Sequence, residues 1–153
     1  MATALFIVLC AAVAVASCGL LEFGTMIHEV TGRSAISFYA FYGCHCGYGG
    51  YGQPKDQIDW CCHKHDCCFA RMSLLGCRPM TRRYHYDFTD GSLTCDSPKN
   101  DDCARLVCEC DRDAVLCFKQ HDDKYSRKYT FYAKKLRCRG PTPACAYDAL
   151  PDN

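Results

Sequence analysis

Sixteen of the 153 residues are cysteine, more than one in ten. A reducing compartment would keep that many thiols free, so the chain reads as secreted and oxidised. The adjacent pairs Cys61-Cys62 and Cys67-Cys68 do not match the C-x2–4-C spacing of a zinc knuckle, which leaves disulfides as the use of the sulfurs. The length suits one domain. With 49% hydrophobic and 12% aromatic residues the chain is not of the disordered class. Eighteen Lys and Arg against 17 Asp and Glu give a net charge of +1, without the basic excess expected of a nucleic-acid binder.

Ala4 to Ala16 is uncharged and mostly apolar, but shorter than the roughly 18 residues a membrane span needs. It ends in Ala16-Ser17-Cys18, with small residues before Gly19. Residues 1–18 are therefore expected to be a signal peptide cut after Cys18, leaving a domain over 19–145 and a tail over 146–153. Removal takes away Cys10 and Cys18, and the 14 cysteines left can all pair.

Leu20, Phe23, Ile27 and Val30 follow helical spacing over Gly19–Thr31, and Gly32 is the expected stop. Cys44 to Gly52 is a glycine-rich loop. Two longer helices are predicted over Asp56–Met72 and Cys103–Phe118, each with one apolar stripe. Between them Tyr84, Tyr86 and Phe88 alternate with polar residues, and Asp90-Gly91-Ser92 supplies a turn, the pattern of a short β-hairpin.

Each long helix carries one ionisable residue inside its apolar row: His65 in the first, Asp111 in the second. A buried carboxylate is costly without a hydrogen-bond partner, and a buried imidazole also wants one. The simplest arrangement is that they bond each other. Cys61 and Cys68 are seven apart, and so are Cys110 and Cys117, so two disulfides can clamp the helices side by side. An antiparallel clamp sets Asp111 level with residue 67, a parallel one with residue 62; spacing does not choose between them. A carboxylate on one ring nitrogen leaves the other free as a general base. No serine or unpaired cysteine lies nearby, so water is the expected nucleophile. His63 is expected to point elsewhere and to be exposed.

Asp66 sits roughly 100° around the helix from His65, outside the apolar row. A glycine loop can turn main-chain carbonyls inward, and a hard cation such as Ca2+ takes oxygen ligands. Loop carbonyls with one carboxylate would give a weak site, on the order of 10−4 to 10−3 M.

Tyr42-Gly43-Cys44-His45-Cys46-Gly47-Tyr48-Gly49-Gly50, then Asp59-Trp60-Cys61-Cys62-His63-Lys64-His65-Asp66-Cys67-Cys68, then Cys108-Glu109-Cys110-Asp111 resemble secreted phospholipase A2, the group II type most. The resemblance runs from about Gly19 to Cys145. It implies a mainly α, disulfide-rich fold: two long antiparallel helices clamped by disulfides, an N-terminal helix, a calcium-binding loop and a small β-hairpin. It implies calcium-dependent hydrolysis of the sn-2 ester of glycerophospholipids. His65 would deprotonate water and Asp111 orient His65. Asp66 and the carbonyls of His45, Gly47 and Gly49 would hold Ca2+, and the Gly47 N–H would donate to the oxyanion. The implied pairings are Cys44–Cys138, Cys46–Cys62, Cys61–Cys117, Cys67–Cys145, Cys68–Cys110, Cys77–Cys103 and Cys95–Cys108, which select the antiparallel clamp.

One departure concerns Phe69, where the family usually has a tyrosine that supports the orienting aspartate; Tyr86 is the expected substitute partner. Leu20, Phe23 and Ile27 would line an apolar channel to His65. Tyr48 and Tyr51 suit its rim, since tyrosine favours membrane–water boundaries. The implied partner is a phospholipid surface, with no nucleic acid. Seven basic residues between Lys124 and Arg139, with no acid among them, are a solvated face or a contact for anionic lipid or a polyanion. The competing functional class is a non-catalytic secreted protein that binds a membrane or receptor on the same scaffold. Inactive relatives typically lose the histidine or the calcium-binding aspartate; this chain keeps both.

Overall fold

The computed structural model describes residues 18–146. Residues 1–17 of the expected leader and residues 147–153 lie outside the described residues, while Cys18 and Gly19, which flank the expected cut, lie within them. Helix α1 spans Cys18–Thr31. Gly32, at φ +70°, ends it by donating to the His28 carbonyl, the left-handed cap that glycine adopts without strain. A single π-helical turn follows at Ala35–Tyr39. Helix α2 spans Gln57–Leu74 and α3 spans Asp102–Gln120. Each has an aspartate N-cap: Asp56 accepts from the Asp59 N–H at 3.0 Å and Asp101 from the Ala104 N–H at 2.9 Å.

α2 packs along α3, and α1 packs across α3. The core between them holds Met26, Ile27, Ile58, Val107, Val115 and Phe118, with Tyr39 stacked on Phe118 at 4.3 Å. Burial of a side chain of this size contributes about 1.5–3 kcal/mol. Cys61–Cys117 and Cys68–Cys110 join α2 to α3 in the antiparallel sense. The other bridges are Cys44–Cys138, Cys46–Cys62, Cys67–Cys145, Cys77–Cys103 and Cys95–Cys108, the same pairs the resemblance implies.

The hairpin pairs β1 (Asp87–Thr89) with β2 (Ser92–Thr94), Phe88 opposite Leu93. Asp90 and Gly91, both at positive φ, make its turn. It is shorter than the alternation from Tyr84 predicts. Asn100 is the reason: its side chain takes both main-chain groups of His85, at 2.8 and 2.7 Å, and removes them from any ladder. After α3 the chain runs through two 3-10 turns and a one-turn helix α4, Lys134–Arg137. No helix among the described residues is long and apolar enough to cross a membrane.

Candidate active site

The clamp between α2 and α3 brings His65 and Asp111 together. His65 Nε2 lies 2.6 Å from Asp111 Oδ1. The carboxylate is 1% exposed, so the bond to the ring is what makes its burial tolerable. Its second oxygen accepts the Tyr84 hydroxyl at 2.5 Å. Burial first, and then the charge and hydrogen bond of Asp111, push the Tyr84 phenol far above its ordinary range, so it stays a donor. The supporting tyrosine is therefore Tyr84, not Tyr86. Both lie on one side of the extended segment, with rings 6.3 Å apart, but Tyr86 reaches α1 and donates to Glu29 at 2.7 Å.

A carboxylate on Nε2 puts the ring proton there. Nδ1 enters no hydrogen bond among the described residues and is free to accept. Phe23 from α1 stacks on the imidazole at 4.7 Å, and Phe69 lies against it at 4.2 Å. These two rings fix its plane. Phe69 thus packs on the imidazole itself, and both oxygens of Asp111 are satisfied without it.

The glycine loop is held from beneath by Asp59. Its buried carboxylate accepts the N–H groups of Cys44, His45 and Lys55 at 2.7–2.8 Å. Gly43 must be glycine, because a Cβ there would fall 2.3 Å from that carboxyl carbon. Gly47, at φ +83°, leaves no room either: a Cβ would sit 1.9 Å from the Ala40 carbonyl oxygen. Lys134, half-buried, donates from Nζ to the carbonyls of Cys46 at 2.8 Å and Tyr48 at 3.3 Å. Burial lowers its ammonium pKa, against the opposing pull of Asp59 and Asp66. The Cys46 contact fixes the peptide plane that also carries the Gly47 N–H. The alternate carbonyls, those of His45, Gly47 and Gly49, accept no hydrogen bond among the described residues.

Asp66 faces this loop. A Cβ on Gly50 would lie 2.6 Å from Asp66 Oδ2, so main chain and carboxylate meet with no side chain between them. Among the described residues no cluster of three His, Cys, Asp or Glu side chains forms a metal site. The oxygen set offered here is of another kind, one carboxylate with unbonded carbonyls, and it suits a hard cation. The His45 ring is buried behind it, with Nε2 on the Gly52 carbonyl at 2.8 Å and Nδ1 3.5 Å from Asp66 Oδ2. Burial disfavours the imidazolium, but the bonds to Asp66 and Gly52 and the field of Asp59 outweigh it and raise the pKa.

Both halves open onto one cavity of about 590 Å³. Leu20, Phe23 and Ile27 line it, as do His45, Gly47, Gly49, His65 and Asp66. Tyr48, 93% exposed, stands at its mouth; Tyr51 is exposed but does not line it.

The model of the family described as phospholipase A2 matches residues 20–130. The chain belongs to the phospholipase A2 family. It is 47% identical to human group IIE secretory phospholipase A2 over 137 residues, 90% of this chain and 94% of that protein. It is 46% identical to mouse group IID secretory phospholipase A2 over 127 residues, 83% and 87% of the two. To the membrane-associated phospholipase A2 of rat it is 47% identical over 126 residues, 82% and 85%. Phospholipase A2 hydrolysis is its activity, and the non-catalytic reading of the scaffold finds no support.

Sequence reasoning missed four supports of this phospholipase site: Tyr84, Asp59, Lys134 and His63. The alternation marks Tyr84 and Tyr86 equally. Asp59 looks like a first-turn acid of α2, and Lys134 is hidden in a basic run. His63, expected to be exposed, is buried, and its Nε2–H donates to the Pro143 carbonyl at 2.9 Å. The segment after Cys138, tied to α2 by Cys67–Cys145, covers that face of the helix. The basic run is not one open patch either. Lys124 pairs with Asp123 at 2.8 Å, and Lys134 turns into the loop.

Proposed function

We propose that this phospholipase A2 is secreted and calcium-dependent, and that it cleaves the sn-2 ester of glycerophospholipids at a lipid surface through His65, Asp111 and Asp66. The observation that carries the reading is the 2.6 Å bond between His65 and buried Asp111, which leaves Nδ1 at the wall of a cavity shared with Asp66. A water at Nδ1 gives its proton to the ring as it attacks the ester carbonyl. Asp111, held by Tyr84, stabilises the imidazolium that forms. The proton then passes to the departing alkoxide, releasing a lysophospholipid and a free fatty acid.

Asp66 and the carbonyls of His45, Gly47 and Gly49 would hold Ca2+. The bound ion supplies a Lewis acid for the ester carbonyl. The Gly47 N–H, its peptide fixed through Lys134, donates to the same developing oxyanion. Leu20, Phe23 and Ile27 receive the acyl chain.

Exposed Leu20, Ile36, Phe41, Tyr48 and Met80 rim the cavity, and exposed Phe131 stacks on Phe41 at 5.9 Å. That apolar rim suits a peripheral contact with phospholipid, with Tyr48 on it and Tyr51 outside it. The remaining basic residues between Lys124 and Arg139 favour anionic over zwitterionic lipid. Residues 1–18 serve as the export signal of a domain over 19–145. Fatty-acid release from zwitterionic and anionic vesicles, with calcium and with chelator, tests the reading. Release should require calcium and be faster on the anionic surface. Undiminished release in chelator overturns the metal role.

A further inference from the structure

The segment after Cys138 touches the glycine loop at several points, and none of those contacts has a part in the reaction described above. The Thr142 hydroxyl accepts the Gly52 N–H at 2.9 Å. Gln53 donates from its backbone to the Arg139 carbonyl at 3.1 Å and from its side chain to the Pro141 carbonyl at 2.8 Å. Gly52, at φ +78°, lies so close to residues 138 and 139 that a Cβ would meet the Arg139 nitrogen and oxygen at 3.2 Å. One residue beyond Thr142, the Pro143 carbonyl takes the buried His63 N–H. The His63 ring meets the His45 ring edge-on at 4.9 Å.

These contacts form one route. The strap of residues 139–143 holds Gly52; the Gly52 carbonyl holds the His45 ring; the ring lies against Asp66. We propose that His63 and Thr142 are positioning residues through which the C-terminal strap sets the affinity of the glycine loop for its divalent cation. Calcium affinity depends on ligand charge and on how rigidly the ligands are held. A glycine-rich backbone has much freedom to lose on binding, and every restraint already present lowers that cost. Asp59 fixes the start of the loop and Lys134 its middle. The strap fixes its far end, and with it the residue that supplies the first carbonyl.

The inference rests on the reading of His45, Gly47, Gly49 and Asp66 as a calcium site, and the test separates the two. Calorimetric titration of the mature wild-type protein with Ca2+ comes first. Wild-type protein that takes up no Ca2+ overturns both readings. If it binds, His63→Phe, which keeps the ring but loses the donor, should raise the calcium Kd roughly three- to tenfold. His63→Gln, which keeps a donor, should restore most of it. Thr142→Val, at an exposed position where folding is not at risk, should raise the Kd roughly two- to fivefold, and Thr142→Ser should return it to wild type. Turnover at saturating calcium should stay within about twofold of wild type in the Thr142 variants. Unchanged Kd in both His63→Phe and Thr142→Val, or no recovery with the conservative replacements, overturns the inference and leaves the calcium site standing.

Discussion

The two sides of His65 are built by different means. On the Asp111 side every contact is between side chains carried by helices or pinned beside them: imidazole to carboxylate, carboxylate to Tyr84, two phenyl rings on the imidazole. Two disulfides fix the spacing of α2 and α3 around it. On the Asp66 side almost everything is main chain, held by Asp59 below and Lys134 behind. Side chains on cross-linked helices have their spacing set by the helices themselves. Main-chain ligands on a glycine loop keep theirs only while neighbouring groups restrain them. In the proposed reading, proton transfer falls to the stiff half, and cation binding to the half that outside contacts can adjust.

Replacements on either side test that division. His65→Gln should lower phospholipid hydrolysis the most, by about 10³- to 10⁴-fold, while melting temperature and calcium uptake stay close to wild type. Loss of calcium uptake as well would mean that the halves are not separate. Asp66→Lys should abolish calcium uptake in a titration and cut hydrolysis by about 10²–10³-fold, with the helices intact by circular dichroism. A preserved calcium isotherm removes Asp66 from the ligand set.

Tyr84→Phe should act on stability before rate. It strands one oxygen of Asp111 without a donor, at a cost of about 1–3 kcal/mol, read as a lower melting temperature. The pH dependence has a definite sign. The folded phenol stays protonated far above the ordinary tyrosine range, whereas the unfolded one ionises near pH ~10. The stability it contributes is complete below that pH and is lost as pH rises beyond it. The gap in melting temperature between wild type and Tyr84→Phe should therefore narrow above pH ~10, and a gap that widens there contradicts the assignment. The smallest effect is expected from Phe69→Tyr. Asp111 has its two partners already, so turnover should stay within about twofold; a large gain would mean that Tyr84 supports Asp111 poorly.

The legible features were those that repeat along the sequence or depend on burial. Helical periodicity placed α2 and α3 to within two residues, and the lone polar residue in each stripe marked His65 and Asp111. The supports were illegible because they depend on where the chain returns in three dimensions. Tyr84 and Tyr86 share one pattern, and only the approach of α3 to one and α1 to the other separates them. His63 lies on a face of α2 that would be solvated if residues 140–145 did not fold back over it. Lys134 lies in a run whose bulk reading is a charged surface, and it turns inward where the chain returns beside the loop, with the Tyr132 N–H on the Phe41 carbonyl and Cys44–Cys138 close by.

The bridges at 61–117 and 68–110 also tie the alignment of His65 and Asp111 to the oxidation state of the sulfurs. Without both staples, the acid and its imidazole, carried on separate helices, would have no covalent tie to keep them in register. In a chain exported as proposed, the two groups would come into line only once those sulfurs had joined.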